Sequence, residues 1–308
     1  MATSASSDLP LSASLDSSEP RPSRARSKDL SALTKPRITL MVVLTTLVGY
    51  VVATPMFDAV VLLHTVLGTA LLSTGSSIFN QMVERQTDAR MRRTALRPLV
   101  AGTISMSMAG ALAVATSVVG AAWLWVLVNP LTAILGLVTL ALYVVVYTPL
   151  KRRSSLSTLV GAVPGAIPPM MGCTAATGDL GALAWTLFGI LFLWQMPHFL
   201  AIAWLYREDY ARGGFPMLPV GDLRGQRTWR QMVFYAAALV PVSLVPSVLG
   251  FTDLLYLVGA FLGGVGFLWA SIEFGRAPNV RSARRLLLAS VAYLPVVLLL
   301  MVVDRLLV

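Results

Sequence analysis

From Ile38 to the last residue the chain alternates between long apolar runs and short polar breaks. Each run is roughly 18–24 residues, the length that carries a helix across the hydrocarbon core of a bilayer. Nine spans are expected, at about 38–57, 59–81, 105–128, 130–148, 156–177, 182–204, 231–250, 254–274 and 286–307. Asn129-Pro130 marks a tight hairpin between the third and fourth. The predicted fold class is therefore all-α, a polytopic membrane bundle of nine transmembrane helices. The fifth span holds Gly161, Pro164, Gly165, Pro168, Pro169 and Gly172, the composition of a helix that is broken or closely packed. Ahead of the spans, residues 1–30 are rich in Ser, Ala, Pro and Arg and contain no signal-peptide core. They read as a disordered tail before a single transmembrane domain, 31–308.

The polar breaks carry a one-sided charge pattern. Lys28, Lys35 and Arg37 precede the first span, and Arg85 to Arg97 supply five arginines after the second. Lys151, Arg152 and Arg153 follow the fourth span, five arginines from Arg207 to Arg230 follow the sixth, and four from Arg276 to Arg285 follow the eighth. The alternate breaks carry Asp58, Asn129, Asp179 and Asp253, with no Lys or Arg. Basic loops stay in the cytoplasm, so the N-terminus is expected there and the C-terminus opposite. Composition agrees: 56% of the 308 residues are hydrophobic and 12% charged, about half the charged share of a soluble domain. The net charge of +10 follows topology and does not call for nucleic acid. It does favour anionic lipids and anionic substrates. A single cysteine, Cys173, excludes an internal disulfide and a multi-cysteine metal site.

Two of the basic breaks are long, about 82–104 and 205–230, and both mix carboxylates with arginines. Where the second apolar run closes, Asn80, Glu84 and Asp88 stand four residues apart, on one face of a helix. An amide and two carboxylates, followed by Arg90, Arg92, Arg93 and Arg97, suit a magnesium-bound phosphate ester. Alone, the pattern is more often a solvated helix end with ion pairs. The second long break places Glu208 and Asp209 beside Arg207 and Arg212, either as a second metal cluster or as local ion pairs. Gln195 and His198 interrupt the sixth apolar run beside Pro197, and ionisable groups at such depth are functional candidates. Lys151 could reach a diphosphate, and the Tyr147 ring could shield a cation.

In order, the chain carries N-x3-E-x3-D, R-T-x2-R-P-L-x2-G, Y-T-x-L-K-R, P-G-A-x-P-P, W-Q-x-P-H-F and D-Y-x3-G-x-P-M-L-P. This set resembles the haem-farnesylating members, the protohaem IX farnesyltransferases, of the UbiA-type superfamily of intramembrane prenyltransferases. The resemblance runs from about Thr34 to Val308. It implies a bundle around a central cavity in a bacterial-type cell membrane. It implies transfer of a farnesyl group from farnesyl diphosphate to a vinyl group of haem B, with addition of water, giving haem O. Magnesium is the implied cofactor, held by Asn80, Glu84, Asp88 and Asp209, which with Tyr147 form the catalytic set. Arg93, Arg97, Lys151, Arg152, Arg212, Gln195 and His198 are the implied substrate-binding residues. Membrane lipid and a downstream haem-oxidising enzyme are the implied partners. Relatives commonly carry a second Asp four residues after the first in the second acidic motif, where this chain has Gly213.

Two other readings compete. A prenyltransferase of quinone or chlorophyll synthesis would share the metal motif. A secondary transporter would share broken helices and buried polar groups, but would place its charges near the bilayer middle.

Overall fold

The computed structural model describes residues 27–54 and 56–307. Among them, nine helices are long and apolar enough to cross a membrane. A short α1 (Ser27–Thr34) precedes α2 (Pro36–Ala53) and α3 (Ala59–Asp88), and α4 (Pro98–Ala101) leads into α5 (Met106–Leu127). The fourth span is α6 (Pro130–Ala141), a π-helical turn Leu142–Tyr147, and α7 (Thr148–Leu150). The fifth is broken into α8 (Ser157–Ala166) and α9 (Pro168–Thr177), and the sixth is α10 (Ala182–Leu205). After α11 (Arg207–Arg212) and α12 (Leu218–Gly221) come the last three spans, α13 (Gln226–Val248), α14 (Leu254–Arg276) and α15 (Val280–Leu307).

Local chemistry sets the helix starts. Asp58 and Asn129 accept hydrogen bonds from the amides of Val60 and Thr132, both at 2.8 Å, and Ser105 accepts from Met108 at 3.2 Å. Pro36, Pro98, Pro130 and Pro168 stand in first turns, where no amide proton is needed. The fifth span breaks at Ile167, which keeps helical dihedrals of φ −72° and ψ −32°, because Pro168 and Pro169 after it bring no amide protons to the helix ladder. Of its apolar window 72% is buried, against 22% for α5, so the broken span is central and α5 faces lipid. Helix α2 packs on α3 and α9, α3 on α5, and α10 on α8, α13 and α15. The last span returns to the first, α15 against α2.

Contact between α2 and α9 is backbone to backbone. A Cβ on Gly49 would strike the Pro169 carbonyl, and one on Gly172 would strike the Thr46 carbonyl. Lipid provides no hydrophobic drive between helices, so such close approach is a main source of their attraction. Gly49→Ala is therefore expected to destabilise the bundle by about 3 kcal/mol, the upper end of the overpacking range, because backbone cannot step aside. Thermal unfolding in detergent checks this, and an unchanged midpoint would mean that the two helices are free to separate.

Several boundaries differ from the sequence expectation. The second span runs on from 81 to Asp88, the seventh begins at Gln226 and the ninth at Val280. Hydropathy stops where polar residues begin, but the helices continue because those residues find partners. Asn279, for example, accepts the Ser282 amide at 2.9 Å ahead of α15. Most of the expected disordered tail, residues 1–26, lies outside the described residues. Its last part, Ser27–Leu30, is helical, as α1 buries Leu33 against Ile78 and Leu99.

Candidate active site

The acidic stripe occupies the last turns of α3 and points inward. Asn80, Glu84 and Asp88 are 1%, 5% and 1% exposed, which excludes a solvated helix end. Burying two carboxylates costs several kcal/mol each unless charge compensates, and three basic residues from three other elements do so. Lys151, just past α7, reaches Glu84 Oε1 at 2.8 Å. Arg97, which precedes α4, lies 2.5 Å from Asp88 Oδ2 and 3.9 Å from Glu84 Oε2. Lys35, between α1 and α2, donates to Asn80 Oδ1 at 3.0 Å. The Asn80 amide nitrogen in turn donates to the Thr148 hydroxyl at 3.1 Å.

Burial pulls the pKa of Lys35 down to about 7, helped by the positive charge of Arg97. For Lys151 burial opposes the charge too, but Tyr147 and the Glu84 carboxylate outweigh it, and its pKa stands well above the usual lysine value. Lys35 is also the one described non-glycine residue with a left-handed backbone, φ 50° and ψ 59°. That conformation costs roughly 1–2 kcal/mol. Gln81 helps to hold it, donating to the Ala32 and Leu33 carbonyls at the end of α1 at 3.2 and 2.7 Å.

One oxygen of this cluster is left over. Asp88 Oδ1 is buried and accepts no hydrogen bond. An unpartnered carboxylate oxygen beside a second carboxylate and an amide oxygen is a hard-oxygen set that fits Mg2+. Among the described residues no three His, Cys, Asp or Glu side chains gather closely enough to hold a metal. The remaining side-chain oxygen on the same helix face is that of the Asn80 amide.

Asp209 is not part of that group. Its Oδ1 accepts the Arg92 amide at 3.2 Å and the Arg212 guanidinium. Burial would raise its pKa, but these donors outweigh it and hold the carboxyl below its ordinary range. Next to it Arg93 donates to the Tyr210 hydroxyl at 2.9 Å and lies over the Tyr206 and Tyr210 rings. Asp209, Arg93 and Arg212 thus fasten the two long basic breaks together. The Lys151 ammonium sits 4.6 Å over the Tyr147 ring and 6.0 Å from that of Phe215, which brings the second break to the first cluster. Tyr147 itself packs where only a glycine fits, at Gly161 of α8.

On α10 the two polar residues face different neighbours. Gln195 donates to the Leu191 and Ala162 carbonyls at 3.1 and 3.4 Å and ties α10 to α8. His198 Nδ1 lies 2.8 Å from the Ser290 hydroxyl on α15, and its ring stacks on Trp194 at 4.8 Å. Ser290 spends its only proton on the Leu287 carbonyl at 2.6 Å, so it accepts from His198 Nδ1–H. The Nε2 lone pair is then free. Arg152 is exposed and joins no ion pair among the described residues.

Sequence reasoning missed Lys35, Thr148 and Phe215. In the sequence Lys35 reads as one of the basic residues that set topology. Its one legible signal was Lys-Pro directly before a span, a junction that must turn sharply.

The sequence profile of the UbiA prenyltransferase family matches residues 42–294. A protoheme IX farnesyltransferase of Solibacter usitatus is 47% identical over 288 residues, covering 90% of this chain and 99% of that one. A digeranylgeranylglyceryl phosphate synthase structure superposes with a TM-score of 0.78 at 16% identity, covering 91% of this chain and 99% of that one. A UbiA homologue of Archaeoglobus fulgidus bound to GPP and Mg2+ superposes with a TM-score of 0.60 at 15% identity, covering 89% and 99%.

Proposed function

Because the chain belongs to the UbiA prenyltransferase family, we propose that the buried stripe on α3 grips the diphosphate of farnesyl diphosphate and that the acceptor is a vinyl group of haem B. The chain is an integral, multi-pass membrane protein and a prenyltransferase. In the reaction the bond from farnesyl C1 to the diphosphate oxygen breaks, and diphosphate leaves with the electron pair. The vinyl π electrons form a new carbon–carbon bond to C1. Water adds to the cation left beside the pyrrole and loses a proton, giving haem O.

The observation that carries this reading is Asp88 Oδ1, an unpartnered buried carboxylate oxygen on a residue paired with Arg97, in a cluster that Lys151 joins through Glu84 and Lys35 through Asn80. Held by Asn80, Glu84 and Asp88, Mg2+ would supply Lewis-acid neutralisation of the leaving group. Arg97 and Lys151 are preorganised donors for the charge that grows on the diphosphate as the bond breaks. The Tyr147 face lies beside that charge and can shield an allyl cation, while the lipid-embedded helices keep water away until the new bond has formed. Asp209, Arg93 and Arg212 hold the loops closed over the head group, and Arg152 stands at the rim. His198 offers its free Nε2 to the haem side, as iron ligand or as acceptor of the proton from water. Gln195 shapes the wall between α8 and α10. The positive-inside pattern supports a cytoplasmic position for this end and for the N-terminus. A haem-oxidising enzyme is the partner that the product calls for.

Mass spectrometry of haems from membranes with and without the chain tests the assignment. Haem O is expected only with it. Prenylation of an aromatic acid in place of haem would transfer the chain to another branch of the family.

A further inference from the structure

The second acidic cluster does not assemble, and the structure shows what stands in its place. Asp209, the residue that would anchor it, is held by Arg212 of its own loop and by the Arg92 amide of the loop after α3. Four residues on, Gly213 offers no side chain, and among the described residues no further carboxylate joins Glu84 and Asp88. The first cluster has a surplus of basic groups instead. Two carboxylates face Lys35, Lys151 and Arg97.

Of these three, Lys35 is differently placed. Lys151 and Arg97 pair with carboxylates, whereas Lys35 spends its ammonium on a neutral amide oxygen, Asn80 Oδ1. In the reading above, that oxygen is the third protein ligand of the metal. Lys35 is held there by a strained left-handed backbone and by Gln81 behind it. A strained residue persists only where its surroundings demand it, and such residues collect at functional sites. The contact with Asn80 is also one that a divalent ion must break.

We propose that the site takes one divalent ion, and that Lys35 plays the part of a second. It covers Asn80 Oδ1 until the ion arrives, then turns its ammonium to the diphosphate. The charges agree. With the basic groups protonated the cluster has one positive charge in excess. One divalent ion raises the excess to three, which the roughly three negative charges of a prenyl diphosphate cancel. A second ion would leave the buried site with two uncompensated charges, an expensive state in a low-dielectric interior. This inference rests on the prenyl-diphosphate reading above and deepens it.

Bound Mn2+, counted by electron paramagnetic resonance with and without the unreactive analogue S-farnesyl thiolodiphosphate, tests it on the whole purified chain. One Mn2+ per chain is expected with the analogue present, and two would overturn the proposal. In Lys35→Met, Mn2+ alone should bind at least as tightly as in the parent, because its competitor for Asn80 is gone. The analogue should bind about tenfold more weakly, the value of one charged hydrogen bond, and Lys35→Arg should recover most of that. A merely structural lysine would weaken both ligands together, and that result, or unchanged analogue affinity, would also overturn it. The count on the parent chain stands whether or not the variants fold. None of these readouts involves haem. One Mn2+ per chain without haem O formation would sink only the acceptor assignment, two Mn2+ with haem O formation would sink only this proposal, and a parent chain that bound no analogue would sink both.

Discussion

Asp88→Asn is expected to lower haem O formation at least about a hundredfold while the protein still inserts and folds. The two halves of this expectation have separate causes. Asp88 places one oxygen against Arg97 at 2.5 Å and leaves the other buried with no partner. Asparagine keeps the shape and removes the charge, so a metal loses a ligand and Arg97 loses its anchor. Loss of one preorganised group at a developing charge typically costs about 2.7–4 kcal/mol of transition-state stabilisation, or roughly 10²–10³ in rate. Stability should change little, because the substitution removes a buried charge and leaves behind an arginine whose side chain is 23% exposed and can reach water. Haem O formed per unit of protein and the unfolding midpoint in detergent give the two values. Turnover within a factor of about two of the parent would remove Asp88 from the chemistry.

Lys151→Met should do the opposite to stability. Glu84 is almost wholly buried, with its side chain 6% exposed, and Lys151 is its closest counter-ion at 2.8 Å. Removing one partner of a buried pair leaves an uncompensated charge and costs about 3–5 kcal/mol. Arg97 remains 3.9 Å from the other carboxylate oxygen, which places the expected loss near 3 kcal/mol. Adding Glu84→Gln should return most of that stability, because the stranded charge disappears. It should return no activity, since metal ligand and diphosphate donor are then both gone. A double-mutant cycle on unfolding free energy measures the coupling. If the two changes simply added, Lys151 would not be the ion that makes Glu84 tolerable.

These outcomes separate structural from chemical roles because the same side chains serve both. The cations that permit Glu84 and Asp88 to be buried are those that would meet a diphosphate. Asp209 shows the contrast. The resemblance implies metal binding for it, yet its Oδ1 is taken by Arg212 of its own loop and by the Arg92 amide, a contact that fastens its loop to the one after α3.

The pattern of apolar runs and basic breaks determined nine spans and the gathering of charge at one end, because a helix in lipid must satisfy its own backbone and expose apolar side chains for about 30 Å, while the Gly and Pro of the fifth span left it broken or closely packed. The four-residue spacing of Asn80, Glu84 and Asp88 determined that they share a face, since helical geometry is local. Tertiary structure decided which way that face points and what meets it. Lys35 reaches Asn80 across 45 residues, Lys151 reaches Glu84 across 67, and Asp209 is claimed by Arg92 across 117. Contacts of that range depend on where helices cross and how closely glycines such as Gly49 and Gly172 let them approach, and no local periodicity encodes either.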